Sequence, residues 1–189
     1  TKGSEFNFIR TDEKTAYYSS STIENGNYQT VIYKTTLNDK VWTNGVYFHL
    51  TELYNTANIQ FLKSGKYHYF TSSKLNEKQK IYKIKKENKE VVCLPDVINK
   101  ENYINTQPHI SHHSNQECLY FVSDRKGGFG GLDIWVSIID KNGNFGVPIN
   151  LGPNINSKYD EITPFYNSWT NQLYFSSNRI SERGFDIYK

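Results

Sequence analysis

Leu119-Tyr120-Phe121-Val122-Ser123-Asp124-Arg125-Lys126-Gly127-Gly128-Phe129-Gly130-Gly131-Leu132-Asp133-Ile134-Trp135 reads as strand, glycine-rich hairpin, strand. Residues 119–122 and 132–139 are β-prone apolar runs. Asp124 can bond its own backbone two residues on, which opens a turn. The glycines supply positive φ where other residues would clash. The unit recurs near the C-terminus as Leu173-Tyr174-Phe175-Ser176-Ser177-Asn178-Arg179, then Gly184-Phe185-Asp186-Ile187-Tyr188-Lys189. Degenerate copies lie upstream: Tyr69-Phe70-Thr71-Ser72-Ser73 before Ile81-Tyr82-Lys83, and Tyr17-Tyr18-Ser19-Ser20-Ser21 before Ile32-Tyr33-Lys34.

The period decides the fold class. Tyr17, Tyr69, Tyr120 and Tyr174 are 52, 51 and 54 residues apart, and Tyr33, Tyr82, Trp135 and Tyr188 are 49, 53 and 53 apart. Several strands per unit at about 40–50 residues is the signature of propeller blades. Tyr120 and Phe121 point to opposite faces of their strand. Both faces are apolar only if the sheet is covered on both sides, as a blade between two blades is. The expected fold is therefore all-β: a β-propeller of four-stranded antiparallel blades, about four in this chain, the last incomplete. The repeats run approximately 1–54, 55–104, 105–155 and 156–189. Tyr120, Phe121, Ser123, Asp133, Tyr174, Phe175, Ser177 and Asp186 form the structural repeat motif, with Asp133 and Asp186 accepting bonds from their hairpins.

These residues resemble a known family. Leu-Tyr-Phe-x-Ser-Asp/Asn-Arg, a glycine-rich turn, then Asp-Ile-Tyr/Trp looks like the TolB-type, WD-repeat-like propeller repeat. The Gly-Gly-Phe-Gly-Gly-Leu-Asp-Ile form is similar to repeats in cell-envelope proteins of Bacteroidota, which often sit beside OmpA-like peptidoglycan-binding domains, a type IX secretion component among them. The resemblance implies a periplasmic or outer-membrane-associated location and an interaction role.

Composition narrows the classes further. Hydrophobic content is 37% and aromatic content 15%, with 15 Tyr, which argues an all-β chain. No stretch approaches the ~18 apolar residues of a membrane span, so direct membrane insertion is not expected. The chain does not begin with Met, which suggests a processed form or an excised segment. Net charge is +3 and the basic residues are spread along the chain, so no nucleic-acid footprint is expected. Cys93 and Cys118 read as separate thiols.

The strand inventory is uneven. First strands open near Glu5, Asn58, Gln107 and Glu161, and four second and four third strands follow, but only three fourth strands. An open edge is a liability, so another segment or chain is expected to complete the ring.

Several groups are candidates for chemistry. Glu5, Asp160 and Glu161 stand at the starts of first strands, near where propeller glycosidases place acid and base. Nothing in the sequence pairs one acid with one base, so they read as polar residues bonding adjacent turns. Neutralising Asp160 or Glu161 is then expected to leave stability close to unchanged. His109, His112 and His113 have zinc-like spacing, but the last two fall in the expected first turn of repeat three. Residues 140–144 begin like a calcium loop yet lack its distal Glu and read as a hairpin turn. The glycine-rich stretch is followed by a strand rather than the helix a phosphate loop needs. No metal and no cofactor are implied.

The reading is thus a non-catalytic interaction scaffold of a bacterial envelope protein, not an enzyme. The alternative is a propeller-type glycoside hydrolase or carbohydrate-binding module. The expected partner is a protein, a neighbouring domain of a longer chain, or a glycan. Binding is expected on the face carrying the longer loops, residues 20–27, 50–56, 73–79, 96–106, 124–131, 152–159 and 178–184. Aromatic and arginine anchors put Arg125, Phe129, Arg179, Arg183 and Tyr103 first. Bracing of their own hairpins is the competing role for Arg125 and Arg179.

Overall fold

The repeats fold into four antiparallel sheets, each with its strands in chain order. The structure is a computed structural model and describes residues 4–24, 27–62, 65–114, 116–180 and 184–189. Blade 1 holds β1 (Ser4–Arg10), β2 (Thr15–Glu24) and β3 (Asn27–Asn38), with short β4 (Val41–Trp42) and β5 (Val46–Tyr47) both pairing with β3. Blade 2 holds β6 (Ala57–Gln60), β7 (Tyr67–Ser72), β8 (Lys80–Lys85) and β9 (Val91–Cys93). Blade 3 holds β10 (Asn105–His113), β11 (Gln116–Ser123), β12 (Asp133–Ile139) and β13 (Ile149–Asn150). Blade 4 has three strands, β14 (Glu161–Asn167), β15 (Gln172–Ser177) and β16 (Asp186–Tyr188). This is the expected all-β propeller of four blades, the last without a fourth strand among the described residues.

The register explains why two sequence markers keep step. Tyr18 opposes Tyr33, Phe70 opposes Tyr82, Phe121 opposes Trp135, and Phe175 opposes Tyr188. Each pair is one cross-strand contact between second and third strands, the unit of sheet stabilisation. In blades 3 and 4 an arginine lies over both rings. The Arg125 guanidinium is 4.7 Å from Phe121 and 5.4 Å from Trp135, and Arg179 is 5.3 Å from Phe175 and 4.6 Å from Tyr188.

Neighbouring residues on a second strand serve different interfaces. Phe121 packs toward blade 2 against Tyr69, Ile81 and Ile98. Tyr120 packs toward blade 4, stacked on Tyr166 at 5.2 Å. Tyr69, Phe70, Tyr120 and Phe121 are buried accordingly. Tyr17, Tyr18 and Tyr174 are only half-buried. Phe175 is buried at the blade 3–blade 4 interface, so in the first and last blades it is Tyr18 and Tyr174, facing away from a neighbouring blade, that stay half-buried.

Connector asparagines clamp the blades. Asn99 accepts the Ile81 N–H and donates to the Ile81 carbonyl, both at 2.8 Å. Asn156 treats Ile134 in the same way, at 2.8 and 3.0 Å.

Local differences from the sequence reading have physical causes. Residues 20–24 are strand rather than loop, because Ser20, Ser21 and Thr22 pair with Val31, Thr30 and Gln29 and carry the ladder on. The Asn25-Gly26 turn and Ser64 lie outside the described residues. His112 and His113 end strand β10 rather than forming a turn. The hairpin glycines work mostly through close approach. Gly127 has positive φ (94°), but a Cβ on Gly130 would run into the carbonyls of Ser157 and Tyr159 in the next connector.

Candidate functional site

The first strands of all four blades meet in one pocket of about 450 Å³. Each contributes a residue at the same bulge: Asn7, Asn58, Gln107 and Thr163, with φ of 55°, 52°, 52° and 53°. Asparagine tolerates this left-handed region; a β-branched threonine is an outlier there. Gln107 and Thr163 also precede Pro108 and Pro164, which disfavours helical conformations before them. Hydrogen bonds from neighbouring blades hold these conformations. Ser19 Oγ accepts the Asn58 N–H at 3.1 Å, and Thr71 Oγ1 accepts the Gln107 N–H at 3.0 Å. At the third joint Val122 occupies the hydroxyl's position, and Gln107 Oε1 instead accepts the Thr163 N–H at 2.6 Å. Strain of this kind gathers at functional sites and persists only where surroundings over-determine it.

Rings and amides share the pocket wall. Phe8, Phe61 and Phe165 supply apolar faces; Gln60 and His109 supply polar ones. His109 is 3.2 Å from the Tyr166 carbonyl through Nε2 and 3.4 Å from Gln60 Nε2 through Nδ1. These partners fix a tautomer in which Nε2–H donates and Nδ1 accepts. Burial lowers the His109 pKa, opposed by the bond to Tyr166, and the ring packs on Phe165 at 4.9 Å. Gln60 is itself held by Ile110, whose N–H its Oε1 accepts at 2.5 Å and to whose carbonyl its Nε2 donates at 2.9 Å, so the polar groups the pocket turns to a ligand are the bulge side chains, beside apolar ring faces.

No Asp or Glu is among the described residues lining it. Glu161 is buried instead, accepting from the Ser157 N–H (2.7 Å), Ser157 Oγ (2.6 Å) and Ser177 Oγ (2.6 Å), with Arg179 at 3.4 Å. Asp160 accepts the Leu132 N–H at 2.8 Å. Glu161 is thus a buried structural carboxylate, and the expectation that neutralising it leaves stability unchanged is corrected: three donors and an arginine depend on it.

The other singled-out residues lie away from the axis. Arg125 bonds Ser123 Oγ at 3.1 Å, Asn105 Oδ1 at 2.7 Å and the Val97 and Ile98 carbonyls. Burial lowers its pKa to about 10, partly offset by Asp124. Arg179 bonds Ser177 Oγ at 3.2 Å and the Ile155 carbonyl at 2.5 Å. Both brace their hairpins. Phe129 is 49% exposed, and its N–H donates to Asp133 Oδ2 at 2.6 Å. Tyr103 is half-buried and its carbonyl accepts from Asn105. Arg183 lies outside the described residues. Asp133 is buried with its pKa raised chiefly by desolvation, while Asp186 is exposed. None of these lines the axial pocket. The signal that marks the pocket in the sequence is the recurrence of Asn7, Asn58, Gln107 and Thr163 at spacings of 51, 49 and 56.

Fold and axis together define a β-propeller whose central pocket is built by equivalent residues of every blade. Among solved structures the chain is similar to a thermostable family-43 glycoside hydrolase, with a TM-score of 0.57 and 11% identity, covering 95% of this chain and 69% of that one. It is also similar to a mutant of the GH43 protein BlXynB from Bacillus licheniformis, with a TM-score of 0.50 and 10% identity, covering 90% of this chain and 35% of that one. No protein-family model and no curated protein matches it. At such identities the likeness establishes the fold alone. As a reading of the fold, the expectation of a chain that is not an enzyme is overturned: the solved propellers that share this fold are glycoside hydrolases.

Proposed function

We propose that this chain is the propeller of a carbohydrate-active protein of the glycoside-hydrolase kind and that its axial pocket takes a sugar. The observation that carries this is the pocket's composition: the bulge side chains of all four blades for hydroxyls, with Phe8, Phe61 and Phe165 for the apolar faces of pyranose rings. Small-ligand sites combine apolar walls with a few convergent polar groups in this way. The structural neighbours supply glycoside hydrolysis as the reaction class. The repeats' resemblance to envelope propellers supplies the compartment in which such a glycan would be met. Cleavage requires a pair of carboxyl groups, whereas binding requires only the groups named, so the two are measured separately. The test is calorimetry with a panel of neutral oligosaccharides alongside nitrophenol release from aryl glycosides. Binding is expected, weakened at least tenfold in Phe165→Ala; cleavage is expected only where a carboxyl pair from outside the described lining reaches the sugar. No binding at millimolar concentration and no cleavage across the panel would overturn the reading.

A further inference from the structure

A second cavity, of about 630 Å³, opens between blades 1 and 2. Its floor is aromatic: Tyr17 lies 4.3 Å from Phe61 and 4.9 Å from Phe48, centroid to centroid. Its rim is basic, formed by Arg10, His49 and Lys89. His49 is paired with Glu52 at 2.8 Å, but Arg10 and Lys89 have no ion pair among the described residues. Arg10 donates only to main-chain carbonyls, from Nε to Asp12 at 2.9 Å and from Nη2 to Glu13 at 2.7 Å. Its charge is therefore held in place without being neutralised.

His68, deeper in the cavity, reports the same field. Its Nδ1 accepts the Leu62 N–H at 3.0 Å. Burial first, then Lys86 and Lys89, lower its pKa to about 4. Phe61 lines both this cavity and the axial pocket, so the two meet across one ring.

We infer that the side cavity binds the uronic-acid residue of an acidic glycan whose neutral portion lies in the axial pocket. The inference rests on the glycan reading above and narrows its substrate class. A pyranose face covers the Tyr17–Phe61 floor, and its carboxylate answers the two uncompensated cations. Arginine suits this role because its planar fork matches a carboxylate.

The probes are a trisaccharide of one terminal galacturonic acid on neutral galactobiose and the corresponding neutral galactotriose, titrated by calorimetry into the intact chain. The acidic trimer is expected to bind at least tenfold tighter, with the preference shrinking as salt rises. Arg10→Gln and Lys89→Gln are each expected to weaken the acidic trimer at least fivefold while leaving the neutral one unchanged. Lys89 sits on an exposed turn, so its variant remains informative if Arg10→Gln loosens the 10–15 turn. Equal binding of the two trimers by wild type, or an acid preference that survives both substitutions, overturns the side cavity alone. Failure of both trimers to bind overturns the axial reading and this one with it.

Discussion

Replacing Glu161 by Gln tests whether this carboxylate is structural. The side chain is fully buried, with Oε1 accepting from Ser157 Oγ, Ser177 Oγ and Arg179, and Oε2 accepting from the Ser157 N–H. Glutamine can keep the first set on its carbonyl oxygen. Its NH₂ then faces the Ser157 N–H, donor against donor. Leaving that buried donor unsatisfied costs about 1–3 kcal/mol. The remaining bonds lose their charge assistance, worth roughly another 1 kcal/mol, since charged bonds are about twice as strong as neutral ones. The sum is about 2–4 kcal/mol, read by urea denaturation as a shift in midpoint at constant slope. For a chain of this size the melting temperature should fall by roughly 4–16 °C. Arg179→Ala supplies the second edge of a double-mutant cycle, with coupling expected at about 0.5–3 kcal/mol. A loss under about 1 kcal/mol for Glu161→Gln would refute the reasoning and free the residue for another role.

Thr71→Val removes the hydroxyl that accepts both the Gln107 N–H and Thr106 Oγ while keeping the side chain's shape. A stability loss of about 1–3 kcal/mol by denaturant titration is expected, and no measurable loss would show that the bulge amide is satisfied otherwise. His68 is expected to titrate near 4 in NMR rather than near 6.5. The unfolded chain then holds a proton that the fold rejects, so His68 contributes stability above about pH 6.5 that is lost as pH falls toward 4. His68→Asn should flatten that slope, and a midpoint near 6.5 would contradict the burial argument.

Much of the fold was legible because its determinants are local and repeated. Cross-strand pairs such as Phe121–Trp135 must recur in step, and a period near 52 leaves few architectures. The apolar runs 119–122 and 132–139 fall on β11 and β12 because alternation and the glycine-rich turn bound them. The axial pocket was not legible as a site. Asn7, Asn58, Gln107 and Thr163 are ordinary polar residues in sequence, and only left-handed backbone and blade closure bring them together. Residue type and loop position put Arg125 and Arg179 among the anchors, whereas their recurrence points to bracing: each bonds Ser123 or Ser177 and lies over an aromatic pair. Glu161 bonds the adjacent connector as its place at a strand start suggests, but its full burial, and with it its weight in stability, arises only when that connector folds over it.

The three bulge joints are alike in position but not in chemistry. Two use a second-strand hydroxyl, Ser19 or Thr71, whereas the third borrows the amide of Gln107 because Val122 has nothing to offer. Each joint therefore has two halves residing in adjacent repeats, and neither half is meaningful alone. A duplicated or transplanted blade would arrive with the wrong half at one side. Repeats built this way drift as neighbouring couples rather than as independent copies, and the order of blades along the chain becomes inherited information that no single repeat contains.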